Sequence, residues 1–252
     1  MRVTLHFDVD GSGPPVILGP SLGTDLHLFD AQAEALRDRF RVIRFDLPGH
    51  GRSPSPEGAV TVPGLADDVL AIADEIGISQ FHYVGVSLGG TIGQQLAIDH
   101  GDRLLSLTLI ATAAQFLDPP SWPARAATVR EQGTAAMVAS RLGTWYTPRL
   151  AQERPDEERR VLDMLRATSA SGYAACCEAI GTFDVRDRLA GITVPTLVIA
   201  GADDPATPLD LLELIASRIP GAKLVVVPRT AHLPVIEDPG AINEALLAHL
   251  DR

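Results

Sequence analysis

The sequence predicts an α/β fold with a mostly parallel central sheet, helices on both faces of that sheet and an inserted helical cap. Strand-like and helix-like segments alternate along residues 1–114 and again along residues 189–252. Such alternation favours parallel strands joined by helical crossovers. Residues 115–188 lack strand-like runs and are rich in alanine, arginine and proline. We therefore expect one α/β core built from the two outer segments and a cap built from the inner one.

The individual elements follow from hydrophobic periodicity and from the turn residues between segments. Apolar runs that end at glycine, proline or aspartate predict strands, and apolar residues at helical spacing predict helices. The predicted strands are 3–8, 15–18, 41–45, 81–86, 104–110, 196–200 and 224–227. The predicted helices are 28–40, 61–76, 88–100, 209–218 and 239–250. Thr61 is expected to cap the second helix and Gly77 to end it.

The acidic composition limits the partners that the chain can have. It has 252 residues and a formal net charge of −11, from 32 acidic and 21 basic residues. Because no run of lysine or arginine offsets this charge, we expect neither a nucleic-acid partner nor a membrane partner. No stretch approaches the roughly 18 apolar residues of a membrane span. The first residues alternate like a strand rather than a signal peptide, so we expect a cytoplasmic protein.

Two cysteines, Cys176 and Cys177, are the only ones in the chain and are adjacent. Neighbouring cysteines rarely pair, and the Cys-x-x-Cys spacing of zinc sites is absent. The sequence therefore argues against a disulfide and a structural metal, and it gives no indication of oligomeric state.

The segment Gly85-Val86-Ser87-Leu88-Gly89 lies between a predicted strand and a predicted helix. This is the context of the nucleophile elbow of α/β-hydrolases, in which a serine projects from a tight, strained turn. The flanking glycines leave room where a side chain would strike neighbouring backbone. The alternative is an ordinary glycine-bearing turn, but the flanking strand and helix favour Ser87 as a nucleophile.

A serine nucleophile needs a base and a group that orients the base. In this fold the chain order is serine, then an acid, then histidine. Of the histidines after Ser87, only His232 falls in a loop after a late strand. Asp203 and Asp204 follow the preceding strand, and the Gly-x-x-Asp spacing favours Asp204. The sequence thus predicts a triad of Ser87, Asp204 and His232, in which the acid fixes the tautomer of the imidazole.

An oxyanion hole requires two backbone N–H donors near the serine. The N–H of Leu88 begins the helix after Ser87 and is one candidate. Leu22, in the loop after the second predicted strand, is the other, because Pro20 has no N–H to donate. We expect His50, in the sequence DLPGHGRS, to shape a neighbouring loop rather than to act chemically.

Basic residues of the cap are candidates for binding a substrate carboxylate. Arg125 and Arg130 are five residues apart, so on one helix their side chains differ in direction by about 140°. Both can therefore hardly point into the same pocket, and the alternative for each is a solvated surface position. Trp122 and Trp145, also in the cap, are candidates for walls of the pocket or for core residues of the cap.

Nearly the whole chain resembles the 3-oxoadipate enol-lactone hydrolases. The resemblance rests on the stretches SLGTDLHLFD, FDLPGHGRS, GVSLGGTIGQQLA, GYAACCEAI, AGADDPATP and TAHLPVIEDP. Many α/β-hydrolases share the elbow and the Asp-His stretches, whereas SLGTDLHLFD and GYAACCEAI are more specific to this family. The family's triad matches Ser87, Asp204 and His232, and its oxyanion donors match Leu22 and Leu88.

The resemblance implies hydrolysis of a small anionic lactone through an acyl-serine, with no metal or organic cofactor. Arg125 would then bind the carboxymethyl group of the substrate. The chain departs from the family at Pro20-Ser21, at Leu47-Pro48 and at Tyr146, where phenylalanine is usual. Another small lactone or ester therefore stays open as the substrate.

Other classes of protein share this fold. A cofactor-free perhydrolase resembling haloperoxidases would use the same triad. Dehalogenases and epoxide hydrolases need an aspartate nucleophile, and Ser87 argues against both. A binding protein that merely retains the fold is disfavoured by the intact triad.

Overall fold

The computed structural model describes residues 4–251 and contains one seven-stranded sheet. The strand order is β1-β3-β2-β4-β5-β6-β7, with β1 antiparallel to β3 and all other pairs parallel. The strands are β1 Phe7–Asp10, β2 Pro15–Gly19, β3 Arg41–Phe45, β4 Phe81–Val86, β5 Leu104–Ile110, β6 Thr196–Gly201 and β7 Lys223–Val227. The sheet is therefore mostly parallel, as the alternation in the sequence predicts.

Ten α-helices occur in this part of the chain, together with four short 3-10 segments. The helices are α1 Asp30–Leu36, α2 Val62–Glu75, α3 Leu88–Asp99, α4 Ser121–Gln132, α5 Pro148–Glu153, α6 Pro155–Ala167, α7 Ala170–Gly181, α8 Leu209–Arg218, α9 Pro234–Glu237 and α10 Pro239–Leu250. No helix among residues 4–251 is both long and apolar enough to cross a bilayer.

Two predicted boundaries were wrong. The first strand was predicted from residue 3, which lies outside the described residues, but β1 begins at Phe7. The N–H of His6 instead donates to Ser53 Oγ at 2.8 Å, outside the sheet. The helix predicted over 28–40 is a 3-10 turn followed by α1, which ends at Leu36. The chain then turns so that Arg41 N–H can donate to Pro14 O at the start of β3.

The core forms where the apolar faces of helices meet the buried strands. All six residues of β4 are buried, as expected for a central strand of a parallel sheet, and the ring of its one histidine, His82, lies 2.8 Å from Ser106 Oγ through Nδ1. Helix α2 buries a face with helical spacing, and Thr61 accepts a hydrogen bond from Gly64 N–H at its N-terminus, as predicted. Burying each large apolar side chain contributes about 1.5–3 kcal/mol. Together these contacts fix the carboxyl ends of β4 and β6, where the candidate site lies.

Along the chain, the helices α4 to α7 come after β5 and before β6, in the stretch predicted to form a cap. Helix α7 approaches the core closely at Gly172, where a Cβ atom would stand 2.6 Å from the Cα of Gly49. Ser169 N–H also donates to Gly49 O at 2.8 Å. The glycine at 172 therefore permits a backbone-to-backbone contact that anchors α7 on the loop after β3.

Candidate active site

Ser87 occupies a strained turn between β4 and α3, with φ 55° and ψ −113°. Positive φ is unfavourable for residues other than glycine and is common at functional sites. The neighbouring glycines are sterically required, because a Cβ at Gly85 would lie 2.2 Å from Gly89 O. A Cβ at Gly89 would lie 2.0 Å from Gly19 O. The packing of the elbow on β2 thus holds the serine in its strained conformation.

His232 and Asp204 form a buried hydrogen-bonded pair, with 2.8 Å between His232 Nδ1 and Asp204 Oδ2. Asp204 also accepts hydrogen bonds from the N–H groups of Ala206 and Thr207 and from the Thr207 hydroxyl. Burial alone would raise the pKa of Asp204. The charge of His232 and the hydrogen bonds from His232 and Thr207 outweigh burial and lower this pKa below its usual value. Asp204 is therefore held as a carboxylate facing the imidazole.

The structure distinguishes between Asp203 and Asp204, the two candidates for the acid of the triad. Asp203 is exposed, whereas Asp204 is 5% exposed and contacts His232. Ser87 and His232 line the same cavity, and no hydrogen bond joins these two side chains in this structure. Catalytic hydrogen bonds often tighten only when substrate is bound.

The amides of Leu22 and Leu88 are placed near Ser87. Leu22 lines the cavity with Ser87, and Leu88 is the first residue of α3. Neither N–H donates a hydrogen bond to another residue of the described chain. A free N–H at the start of a helix, such as that of Leu88, favours a negative charge nearby, because the positive end of the helix dipole lies at the N-terminus. Both amides are therefore available to bind an oxyanion.

His50 supports the loop that carries Leu22. Its Nε2 accepts a hydrogen bond from Gly23 N–H at 3.0 Å, and its Nδ1 lies 2.9 Å from Pro48 O. Burial lowers the pKa of His50 to about 4. The neutral imidazole thus bridges two loops as both donor and acceptor, in agreement with the loop-shaping role inferred from the sequence.

A cavity of about 250 Å³ opens over Ser87 and His232. Three of the four substrate-contact candidates, Trp122, Arg125 and Trp145, line it. Arg130 does not, because both of its terminal nitrogens bond the carboxylate of Glu178 at the surface, at 2.6 and 2.9 Å. The structure therefore brings one of the two candidate arginines to the cavity.

The sequence reasoning missed Arg141, which also lines the cavity and is only 5% exposed. Its guanidinium lies 4.9 Å from the ring centroid of Trp145 and donates to Met137 O and Ser140 Oγ. Burial lowers the pKa of Arg141, and the positive charge of Arg125 lowers it further. The only signal in the sequence is an arginine four residues before a tryptophan, and the fold alone decides whether such a pair is buried.

The two cavity arginines share one feature. Neither Arg125 nor Arg141 forms an ion pair with a carboxylate of residues 4–251. Arg125 stacks on Trp122, 4.5 Å from the ring centroid, and lines the cavity together with Tyr173. The cavity beside Ser87 therefore carries two cationic groups whose charges the described chain does not neutralise.

The two cysteines do not line the cavity that contains Ser87 and His232. Cys176 and Cys177 are both buried and unbridged on α7, and burial raises the pKa of each thiol, that of Cys177 to about 12. Both are therefore protonated near neutral pH. Within residues 4–251, no group of three or more His, Cys, Asp or Glu side chains is arranged to hold a metal ion.

The sheet, the elbow and the Asp-His pair together define the class of the protein. The chain belongs to the α/β-hydrolase fold family, whose sequence pattern matches residues 14–239. It is 36% identical to 3-oxoadipate enol-lactonase 2 of Acinetobacter baylyi, over 99% of this chain and 94% of that protein.

Two solved structures show how far the similarity extends. The enol-lactonase of Burkholderia xenovorans is 35% identical and superposes with a TM-score of 0.96, over 99% of this chain and 97% of that one. A thermophilic esterase of Thermogutta terrifontis, solved with malate bound, is 29% identical with a TM-score of 0.95, over 99% and 93%. The predicted fold, the predicted resemblance and the predicted class, a hydrolase of ester bonds, are confirmed.

Proposed function

We propose that this hydrolase opens the ring of 3-oxoadipate enol-lactone, or of a closely similar anionic lactone, to give the ring-opened acid. The observation that carries the proposal is the pair of unneutralised guanidiniums, Arg125 and Arg141, in the cavity beside Ser87. The similarity to two enol-lactonases over nearly the whole chain supports the same substrate class.

The charges of Arg125 and Arg141 favour an anionic substrate. A buried guanidinium without a counter-ion is unfavourable unless an anion arrives with the ligand. The chain has 32 acidic residues and a net charge of −11, yet it places none of them against Arg141. Two cations in an acidic protein would attract and orient a substrate carboxylate while leaving its ester carbonyl free to approach Ser87.

The proposed reaction begins with attack by Ser87. His232 removes the hydroxyl proton as the oxygen attacks the lactone carbonyl, while Asp204 orients the imidazole and stabilises the imidazolium. The N–H groups of Leu22 and Leu88 bind the tetrahedral oxyanion. The ring then opens, and the leaving enolate takes the proton from His232.

The second half of the proposed reaction releases the acid. The leaving group stays attached to the acyl chain and relaxes from enol to ketone. Water, activated by His232, then attacks the ester of Ser87, and a second oxyanion forms in the same place. Collapse of this oxyanion breaks the bond between Ser87 Oγ and the acyl group, and His232 returns its proton to Oγ as the acid leaves. Every step of this scheme uses side chains and amides of the chain together with water.

We further propose that residues 115–188 act as a cap that selects the substrate. Trp122, Arg125 and Arg141 come from this stretch and line the same cavity as Ser87 and His232. The arginines would hold the carboxylate, and Trp122 with Trp145 would enclose the ring. A small anionic ligand is the partner that this arrangement favours.

A second candidate function is hydrolysis of small acyclic esters. The similarity to the thermophilic esterase supports it, since that protein has the same fold over 99% of this chain. The esterase was solved with malate, a dicarboxylate, so an anionic acyl group suits this candidate too. The two candidates differ only in whether the leaving group stays joined to the acyl chain.

The loss of enol-lactone absorbance tests the proposal. The lactone is generated from its muconolactone precursor with the isomerase, and wild type and Ser87→Ala are compared in parallel. We expect rapid loss with wild type only, at a higher kcat/KM than for phenyl acetate. If wild type hydrolyses phenyl acetate and leaves the enol-lactone untouched, the substrate assignment is wrong and the esterase candidate replaces it.

A further inference from the structure

We infer that Glu237 is a positioning residue for His232, because its buried carboxylate ties the loop that carries the base to residues 144–147. The inference rests on the proposed function in one respect, the role of His232 as general base. Glu237 lies at the end of α9 and is 3% exposed. It does not line the cavity, so it would act through His232 and not on the substrate.

The carboxylate of Glu237 bridges two segments that are far apart in sequence. Its Oε2 accepts a hydrogen bond from Ala231 N–H, immediately before His232, at 2.6 Å. Its Oε1 accepts from the N–H of Thr147 at 2.8 Å and from the hydroxyl of Thr147 at 2.5 Å. One buried side chain therefore holds the backbone of the histidine loop, at Ala231, and the backbone of the cap segment, at Thr147, next to each other.

Two backbone hydrogen bonds run beside this bridge. His232 N–H donates to Thr144 O at 3.3 Å, and Leu233 N–H donates to Trp145 O at 2.8 Å. The histidine loop is thus held against the segment that supplies Trp145 to the cavity wall. Glu237 closes one end of this contact, so losing it would free the loop at Ala231 and the segment at Thr147 together.

The chemistry of the three donors explains why a carboxylate is needed. All three partners are N–H or O–H donors, and an ionised carboxylate can accept from each of them without donating. No ion pair within residues 4–251 neutralises the carboxylate of Glu237, which is satisfied by these three hydrogen bonds, while the guanidinium of Arg154 donates to the backbone carbonyl of Glu237 at 2.8 Å. A glutamine of the same shape would turn its NH₂ group toward one of these donors and break that contact.

The catalytic consequence follows from geometry. His232 must reach Ser87 on one side while keeping its hydrogen bond to Asp204 on the other. Misplacement of a catalytic group by about 1 Å can lower a rate about a hundredfold. Because Glu237 acts on the base, its loss should lower the turnover of charged and neutral substrates alike.

The test compares Glu237→Gln, Glu237→Asp and the remote core variant Ile72→Val, which perturbs packing on α2. Active sites are counted with a fluorophosphonate, and kcat and KM are measured for phenyl acetate and for the enol-lactone. We expect Glu237→Gln to lower kcat about tenfold to a hundredfold on both substrates, with KM changed by less than about twofold. Glu237→Asp keeps the charge and should recover part of the loss.

A proton NMR spectrum supplies a readout that a purely structural role would not move. The downfield resonance of the proton between His232 and Asp204 should weaken or broaden in Glu237→Gln and persist in Ile72→Val. The inference is overturned if Glu237→Gln keeps the wild-type kcat per active site and the wild-type resonance, whatever its thermal stability. Activity on phenyl acetate but not on the enol-lactone would remove the proposed substrate, while the role of Glu237 would still be decided on phenyl acetate.

Discussion

The Nδ1 atom of His232 lies 2.8 Å from Oδ2 of Asp204, and both side chains are almost wholly buried. Asp204 is itself fixed by Thr207, through the backbone N–H at 3.1 Å and through the hydroxyl. A carboxylate in this place keeps the Nδ1 proton of the imidazole toward itself and leaves Nε2 free to accept a proton. The pair therefore determines which imidazole nitrogen faces Ser87.

Asp204→Asn should abolish most activity without unfolding the protein. An amide can present its NH₂ group to Nδ1 and so favour the wrong tautomer, for which a loss in kcat of about 10⁴ is typical. The variant Asp203→Asn is the matched control, because Asp203 is exposed and should be dispensable. Steady-state kinetics on phenyl acetate measure both, and comparable losses in the two variants would contradict the assignment of Asp204.

Ser87→Gly should be more stable than Ser87→Ala, although both are inactive. The backbone at Ser87 has φ 55°, a conformation that glycine adopts without strain and alanine does not. We expect a difference of about 1 kcal/mol in the free energy of unfolding. Urea denaturation of the two variants measures it. Equal stabilities would mean that the elbow is not strained.

Arg141→Met should weaken binding of the anionic lactone and spare neutral esters. Methionine retains apolar packing on Trp145 but removes the charge, and a hydrogen bond to a charged group contributes about 1.5–3 kcal/mol. This corresponds to a rise in KM of about tenfold to a hundredfold for the enol-lactone. Arg130→Met is the control, since Arg130 pairs with Glu178 at the surface. An unchanged KM in Arg141→Met would remove the arginine from the binding site.

His50 should make the stability of the protein depend on pH between about 4 and 6.5. Its pKa falls from 6.5 to about 4 on burial, so below pH 6.5 the unfolded chain binds a proton that the folded protein does not. Stability is therefore unaffected above this window and is lost as the pH falls through it, by about 3 kcal/mol in total.

His50→Gln removes the titrating group and should flatten this part of the profile. Chemical denaturation at several pH values, for wild type and variant, gives the two curves. If both curves fall equally between pH 6.5 and 4, other groups cause the acid sensitivity and His50 does not.

The nucleophile elbow, the order of the triad residues and the parallel sheet could all be predicted from local patterns in the sequence. The elbow at Ser87 has a five-residue pattern with a strand before it and a helix after it, and the order of the fold then points to His232. The parallel sheet follows from alternation alone. The start of β1 could not be predicted, because Ser53, far away in sequence, takes the N–H of His6.

The missed residues are those whose importance depends on how the folded chain packs around them. Arg141 looks like any surface arginine until packing buries it against Trp145. Glu237 looks like an ordinary acid at the end of a short helix until Thr147, 90 positions away, is placed against it. A spacing of four residues between Arg141 and Trp145 does not reveal whether the pair is buried, and a contact across 90 positions leaves no local pattern in the sequence.

The most direct test of the central claim is the mass of the Ser87 peptide during turnover of the enol-lactone. Because ring opening keeps the leaving group attached, the acyl-enzyme should carry the full mass of the lactone with nothing lost. Samples quenched by acid within milliseconds, digested and measured by mass spectrometry should show this adduct on Ser87 of wild type. An adduct on another residue, or turnover by Ser87→Ala at the wild-type rate, would contradict the account.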